Sequence, residues 1–439
     1  MFGPCRLCFM AIMFPIALTI STSVRAEIPP SVVLPAKLGL DQAVELARSR
    51  GLDVLIAETR AHGAEGDVRV AGAVANPLVS VGFGRAFNYE AQSSDQSNNQ
   101  YSAGLSDQAA AFDSLSGKRS LRLVTARNAL AAAKLAREDA VRILEFEVKQ
   151  QYAEVAQTIE LVKFAQEVVE TATRSLDLNR RRYPQVIDDG TLARIETQKL
   201  EADQALDQAV EGLRTARVGL GFLLGVRGEV PDFDVDAGTL DFRVPVALGA
   251  ASERDLLRLA VDHRPDLRQY GYERARASAA VDLAKRQRFP DVTLSAQYTQ
   301  TGTGQSAIQP PTLSFAVTAP LPLFYQQQGE IQKAEADYDE QSLTQAKVTA
   351  RVAAEVGTAF AGFTAARRLV ERMRGGLLAS AKRARDITEV QFKAGAGTLI
   401  DFLDAQRTYV ATNVEYLQDL TTYWTAVFQL EQAVGMELP

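Results

Sequence analysis

The sequence predicts a mainly α-helical fold that carries a small amphipathic β-sheet and contains two copies of one structural unit. Three observations support this prediction. Residues 118–183 and 326–394 are long stretches rich in Ala, Leu, Glu, Gln, Lys and Arg, which favour helix. Four short segments alternate apolar and polar residues, as half-buried strands do. The same order of segments occurs twice along the chain, about 210 residues apart, which indicates a duplication.

The composition of the 439 residues excludes several classes of function. The formal charge of −6 is mixed along the chain, and no basic stripe suggests a nucleic-acid surface. Two His and two Cys are few for a zinc site or for thiol chemistry. His62 and His263 do not occupy equivalent repeat positions, and no nucleophile elbow or zinc-protease motif is present. We therefore expect no enzyme activity, no cofactor and no bound metal.

Residues 1–26 have the pattern of a secretory signal peptide. Arg6 precedes an apolar run, which is followed by polar residues and by small side chains around a cleavage site between Ala26 and Glu27. The alternative, a membrane anchor, is weaker because the apolar run is short for a bilayer. Both cysteines, Cys5 and Cys8, lie in this segment, so the exported chain is expected to contain none.

The internal repeat defines the predicted domains. Residues 43–83 align without gaps with residues 256–296 at an offset of 213, with eight identities that include Pro77 and Pro290. Later blocks align at offsets of 208 and 207, because the loops differ slightly in length. The predicted division is a first repeat at 27–225, an inter-repeat linker at 226–252 and a second repeat at 253–439.

Each repeat begins with a predicted helix and continues into a β-hairpin. The helices are expected near 40–75 and 253–288, and Pro77 and Pro290 follow them. Alternating segments on either side of a polar loop then predict one hairpin in each repeat. These hairpins are expected at about 77–117 and 290–324.

Long helices follow each hairpin, at about 118–224 and 326–434. Apolar residues recur every three or four positions from Leu144 to Val162, which is typical of a coiled-coil seam. More than sixty residues at the helical rise make a rod of about 100 Å. We expect Gly375 and Gly376 to loosen the second rod locally. Turns near 184–190 and 394–398 should return the chain into helices at about 191–224 and 398–434.

The four predicted strands are long enough to cross a bilayer at a tilt but too few to close a barrel. Unpaired strand edges are excluded from lipid, so closure requires several copies of the chain. A trimer supplies twelve strands and leaves room for a pore, whereas eight strands leave an interior filled by side chains. The alternative is a soluble hairpin that docks on a helical bundle.

Several motifs resemble those of TolC-type outer-membrane efflux proteins. Pro320–Phe324 and the following Gln328-Gly329-Glu330-Ile331 are similar to the CzcC-like branch, which serves heavy-metal efflux. Gly117-Lys118-Arg119 resembles the matching junction of the first copy, and it lacks the other residues of a phosphate-binding loop. The resemblance extends over essentially the whole exported chain, from about Leu38 to Gly435.

The resemblance implies a homotrimer with a twelve-stranded barrel in the outer membrane of a Gram-negative bacterium. It also implies a long α-helical tunnel in the periplasm that receives substrate from an inner-membrane pump of the RND type through a periplasmic adaptor. Such a channel performs no chemistry and conducts passively. Heavy-metal cations are the expected substrate, and a channel for drugs or organic solutes is an alternative. A secreted coiled-coil scaffold of the envelope is an alternative of a different class.

The resemblance also implies a pore gate at the tip of the tunnel. Asp401 and Asp404 occupy its acidic positions, and their spacing places both on one helix face. Three copies would surround the constriction with six carboxylates and attract cations. A solvated acidic surface is the alternative. Arg194 aligns with Asp401 in the repeat and is a candidate partner.

The turns at the tip are predicted from two matching motifs: Gly190-Thr191 and Gly397-Thr398.

The sequence departs from the family at the closed gate. The family holds this state with an aromatic hydroxyl and a basic side chain, and these positions correspond here to Phe392 and Gly397. Neither residue can donate such a bond, so we expect the closed state to be held in another way or to be leakier.

Overall fold

The computed structural model describes residues 30–85, 87, 99–185, 187–301 and 310–438. The predicted signal peptide, with its cleavage site between Ala26 and Glu27, lies outside the described residues. Most of the two predicted hairpin loops also lies outside them.

The helix predicted at 40–75 is in fact two helices. After a short strand, β1 (Lys37–Leu38), helix α1 (Leu40–Arg50) ends at Gly51, whose φ of −60° and ψ of 128° are extended. Helix α2 (Leu52–Gly72) begins directly afterwards. The prediction of one helix was wrong because an apolar pattern that continues across a single glycine does not reveal that the helix is interrupted there.

The rest of the first repeat contains the predicted hairpin and two long helices. Strands β2 (Leu78–Arg85) and β3 (Asn99–Ser106) pair, and a short helix, α3 (Ala110–Leu115), follows. Helix α4 (Lys118–Arg182) has 65 residues, and α5 (Asp189–Leu223) runs back beside it.

The linker between the repeats has little regular structure. It contains strand β4 (Asp234–Val235), a single 3₁₀ turn (Ala237–Leu240) and a one-turn helix, α6 (Val246–Gly249). Strand β4 pairs in parallel with β1 and so joins the linker to the beginning of the described chain.

The second repeat also begins with a broken helix, and this corrects the prediction of one helix at 253–288. Helix α7 (Glu253–His263) ends at Arg264, because the residue before a proline disfavours helical geometry, and α8 (Pro265–Arg286) begins at that proline. Strands β5 (Thr293–Thr301) and β6 (Thr312–Thr318) form the second hairpin.

Three helices complete the second repeat. Helix α9 (Gln328–Arg372) leads into a π-helical turn (Met373–Leu377), and α10 (Leu378–Lys393) continues from it. The turn contains Gly375 and Gly376, where the sequence predicts a local loosening. Helix α11 (Leu399–Val434) returns beside α10.

The four long strands form one antiparallel sheet in the order β2-β3-β5-β6. Pairing of β3 with β5, for example Ala103 with Tyr298, joins the two repeats. Strands β2 and β6 are the edges, and each has a single partner strand among the described residues. Apolar side chains of the sheet, such as Val81 and Phe315, are exposed.

The main core lies where the long helices cross the linker. Tyr152 of α4 is fully buried, and its hydroxyl donates to the Leu38 carbonyl at 2.9 Å and accepts from the Asp236 amide at 2.9 Å. The Tyr423 hydroxyl of α11 donates to the Arg243 carbonyl at 2.8 Å, and burial raises the pKa of Tyr423 to about 12. These bonds attach the linker to helices of both repeats.

The predicted mainly helical fold class is confirmed. Within the described ranges, no helix has both the length and the hydropathy that a bilayer crossing needs.

Candidate functional site

The tip of the molecule consists of two helix–turn–helix hairpins, one from each repeat. The first turn joins α4 to α5, and the second joins α10 to α11. Asp188 caps α5, because its carboxylate accepts from the Thr191 amide at 2.9 Å. Hydrogen bonds from the Thr191 hydroxyl and amide hold the pKa of Asp188 below its usual range. Gly190 and Thr191 therefore lie in the first turn of α5.

The second turn has the same cap with different residues. Thr398 caps α11, and its hydroxyl accepts from the Asp401 amide at 3.2 Å. The Asp401 carboxylate in turn accepts from the Thr398 hydroxyl at 2.6 Å. Both cap residues stabilise the beginning of a helix. Asp401 thus has a local structural role in addition to any role in a pore.

Both predicted gate carboxylates are exposed at the beginning of α11. Asp404 has no hydrogen bond or ion pair with any of the described residues. The helix N-terminus favours the negative charge of Asp401, which lies in the first turn of α11. One protomer therefore leaves Asp401 and Asp404 exposed to solvent on one helix face, where they can attract cations.

Arg194 does not pair with Asp401 within the chain. Arg194 is exposed on the second turn of α5, and no ion pair involving it occurs in the described ranges. Its charge contributes to the lowered pKa of Asp188 in its own hairpin. The pairing of Arg194 with Asp401 across helices stays a prediction for the assembled channel.

A small apolar cluster separate from the main core holds the tip together. Phe392 of α10 stacks in parallel on Phe402 of α11, with ring centroids 5.8 Å apart and an interplanar angle of 1°. Leu399, Leu176 and Ile195 are buried with Phe402 in the same cluster. The cluster draws residues from α4, α5, α10 and α11, so it joins the two hairpins.

Sequence reasoning missed this role of Phe392. It identified the residue only as one that cannot donate the bond expected at a closed gate. The available signal was the spacing of Leu399 and Phe402, which places two apolar side chains on one face of α11. The position of Phe392 opposite that face depends on the turn geometry.

Gly397 completes the second turn by close backbone packing. Its amide donates to the Gln391 carbonyl at 3.1 Å, and a Cβ added at Gly397 would lie 3.0 Å from the Gln391 Cβ. A larger residue requires Gln391 to move. The absence of a basic side chain at this position thus has a local packing reason.

Two polar contacts link the hairpins further along the helices. Arg407 of α11 lies 3.2 Å from Glu201 of α5, and this ion pair is exposed. The Arg385 guanidinium of α10 lies 4.2 Å from the ring centroid of Tyr409, which also contacts Phe164 of α4. These contacts place the helices of both repeats side by side behind the tip.

The described residues contain no group of three or more His, Cys, Asp and Glu side chains that could hold a metal ion. His62 lies 3.5 Å from Glu65 on the same helix, and the His263 Nδ1 lies 3.0 Å from the Leu259 carbonyl oxygen. Both histidines therefore interact with their own helices.

Comparison with known proteins identifies similar chains. Residues 256–436 match the family described as outer membrane efflux protein. The cobalt-zinc-cadmium resistance protein CzcC of Cupriavidus metallidurans is 26% identical over 298 residues, which are 64% of this chain and 67% of CzcC.

Solved structures show the same fold. The crystal structure of CusC aligns with a TM-score of 0.75 and 17% identity over 94% of this chain and 98% of CusC. That of the outer membrane protein VceC from Vibrio cholerae aligns with a TM-score of 0.71 and 20% identity over 91% and 97%. These matches confirm the resemblance inferred from the sequence.

Proposed function

We propose that this chain, a relative of the outer membrane efflux proteins, is one subunit of a trimeric channel that conducts exported solute across the periplasm and the outer membrane. The observation that carries the proposal is the open sheet on long helices. The edge strands β2 and β6 each lack a second partner among the described residues, and the apolar side chains of the sheet are exposed. Three copies provide twelve strands, enough for a closed pore.

The helices supply the second part of the proposed duct. Helix α4 has 65 residues, which corresponds to about 100 Å of helix. We propose that three copies enclose a tunnel through the periplasm. A periplasmic adaptor and an inner-membrane pump of the RND type are the proposed partners, and the tip is the proposed end at which substrate enters.

Heavy-metal cations are the proposed substrate. The named function of CzcC, resistance to cobalt, zinc and cadmium, supports this choice. The exposed carboxylates of Asp401 and Asp404 also support it, since three pairs around a constriction attract cations. A channel that attracts cations without binding them in a closed metal site releases them quickly.

The mass of the detergent-solubilised protein tests the assembly. Light scattering of the purified protein from the membrane fraction should give a particle of three chains. A monomer that stays in solution without detergent contradicts the proposal.

Export is tested in cells that contain the cognate pump and adaptor: deletion of the channel should sensitise them to divalent metals. Sensitivity to organic toxins alone would favour a channel for organic solutes.

A further inference from the structure

The two repeats of one chain meet at a polar junction below the sheet. Lys118, at the beginning of α4, is 5% exposed, and its ammonium donates to the Phe289 carbonyl and to the Asp291 carboxylate, each at 2.7 Å. Asp107, after β3, accepts from the Leu294 amide at 2.8 Å. The first repeat thus covers the beginning of the second repeat's hairpin.

A groove at this junction shows which positions face each other. From the first repeat, the groove is lined by Asp113, Lys118 and Arg122. From the second repeat, it is lined by three residues spaced four apart in α8 and the segment after it: Leu283, Gln287 and Asp291. Apolar residues also line the groove, among them Phe289 and Leu321. The joint within one chain therefore combines the charged contact of Lys118 with apolar surface.

The second repeat has a corresponding junction that the described chain leaves largely uncovered, although Leu321 borders the groove of the first junction. Gly117 and Gln327 identify the correspondence, because both have left-handed backbone geometry directly before a long helix. The segment between β6 and α9 is apolar and exposed. Leu321 is 75% exposed, Leu323 is 73% exposed and Phe324 is 99% exposed.

The first repeat has a matching uncovered surface. At the repeat offset of 213, Val70, Val74 and Leu78 correspond to Leu283, Gln287 and Asp291. Their exposed fractions are 74%, 49% and 53%. Two of the three positions at the joint within the chain, Gln287 and Asp291, are thus polar, whereas all three counterparts in the first repeat are apolar. Exposed apolar patches of this kind mark interaction sites.

We propose that the apolar junction of one copy, Leu321–Phe324, packs on Val70, Val74 and Leu78 of the next copy. This inference rests on the proposed trimer. It continues the interface already present between β3 and β5, because the edge strand β6 of one copy would then lie beside β2 of the next, antiparallel like every other pair of the sheet. Such a head-to-tail contact forms a ring when the rotation closes.

Cysteine cross-linking tests this contact. The variant with both Val74→Cys and Phe324→Cys, purified in detergent and treated with a short bismaleimide, should give covalent species of two and three chains in a denaturing gel. Each single variant should give about tenfold less, because one cysteine then lacks its partner on the next copy. The unmodified chain controls for reaction through Cys5 or Cys8. A double variant of Val74→Cys with Val246→Cys, whose side chain is almost fully exposed in the linker, is the matched control.

The outcomes separate this inference from the proposed function. A particle of three chains that gives no covalent species contradicts the contact and leaves the channel proposal standing. A particle of one chain contradicts both. Quenching of a fluorophore at Phe324→Cys by lipid-linked nitroxide, without cross-linking, identifies a lipid contact and overturns the inference.

A charge substitution provides a second test. Phe324→Asp should lower the temperature at which the trimer dissociates, because a carboxylate would be buried between copies. Leu115→Asp changes a similarly exposed side chain in the first repeat's junction and should leave that temperature unchanged. Equal effects of the two substitutions contradict the contact.

Discussion

The carboxylates of Asp401 and Asp404 differ in their local contacts. Asp401 is bonded to the Thr398 hydroxyl that caps α11, whereas Asp404 is bonded to none of the described residues. An amide at position 401 can still accept the cap hydrogen bond, so asparagine removes the charge and keeps the acceptor. Charge and helix stability can therefore be separated at this site.

Neutralising both carboxylates should reduce the cation selectivity of the channel. In planar bilayers under a salt gradient, the variant with Asp401→Asn and Asp404→Asn should shift the reversal potential toward zero, because six charges leave the constriction. Glu229→Gln, which removes an exposed acid of the linker, is the control. An unchanged reversal potential would assign both residues to a solvated surface.

Phe392 should stabilise the tip independently of the main core. Phe392→Ala removes one ring of the stack on Phe402 and should cost about 1–3 kcal/mol of local stability, less than a fully buried phenylalanine because Phe392 is half-buried. Hydrogen exchange should accelerate at the α10–α11 turn, with no change near Tyr152. Val390→Ala, on an exposed position of the same helix, should have little effect.

Among the elements, the break between α7 and α8 contains a buried charge. The fully buried Arg264 guanidinium donates to both carboxylate oxygens of Asp266 at 3.0 and 2.6 Å and to Glu355 at 2.6 Å. It also donates to the Ala433 carbonyl near the end of α11 at 3.1 Å. One side chain thus joins the break to α9 and α11.

Arg264→Met should destabilise the fold by about 3–5 kcal/mol at neutral pH, since Asp266 would stay buried with only the long 4.0 Å ion pair to Arg351 left. Thermal unfolding at a fixed scan rate measures the loss, and Arg258→Met, which changes an exposed arginine of α7, is the control. A loss no larger than the control's would show that Asp266 is solvated on its own.

The destabilisation by Arg264→Met should decrease as the pH falls. Burial alone raises the pKa of Asp266, but the hydrogen bonds and charge of Arg264 outweigh it and hold the pKa below the usual range. A carboxyl with a lowered folded pKa stabilises the fold above its unfolded pKa of about 3.9. That contribution is lost as the pH falls through the lowered folded value, so the difference between Arg264→Met and the native chain should shrink in acid.

An element could be predicted from the sequence where its pattern lies within its own segment. The long helices and strands could be predicted because the composition of α4 and the alternation in β2 are contained in each segment. The break at Arg264 had a visible signal in Pro265, whereas the break at Gly51 had only a glycine. The stack of Phe392 on Phe402 could not be predicted, because it depends on two helices that meet through a turn.

At the scale of the whole molecule, the two repeats have diverged where their surroundings differ. Lys118 and Asp291 are joined within one chain, where an ion pair with further hydrogen bonds can be fixed during folding. The equivalent uncovered positions contain two uncharged residues, Gln328 and Leu78, and lie beside the apolar Leu321–Phe324. Apolar contacts suit association of separate copies, because they require no exact matching of charged groups before docking. The duplicated unit therefore has one junction that is covered within the chain, before α4, and one that is exposed for contact with another copy, before α9.

The two faces of the exposed sheet should differ in how well they tolerate a charged side chain. In the proposed channel, Val81 faces lipid and its neighbour Ser80 faces the pore, because successive side chains of a strand point to opposite faces. Val81→Lys should cost about 2–4 kcal/mol if it lies near the middle of the bilayer, whereas a lysine in a water-filled pore costs little. The yield of trimer in the outer-membrane fraction should thus fall for Val81→Lys and stay close to normal for Ser80→Lys. Near-normal yields of both variants would mean that both faces of β2 contact water, which is incompatible with a strand that lines a pore in lipid.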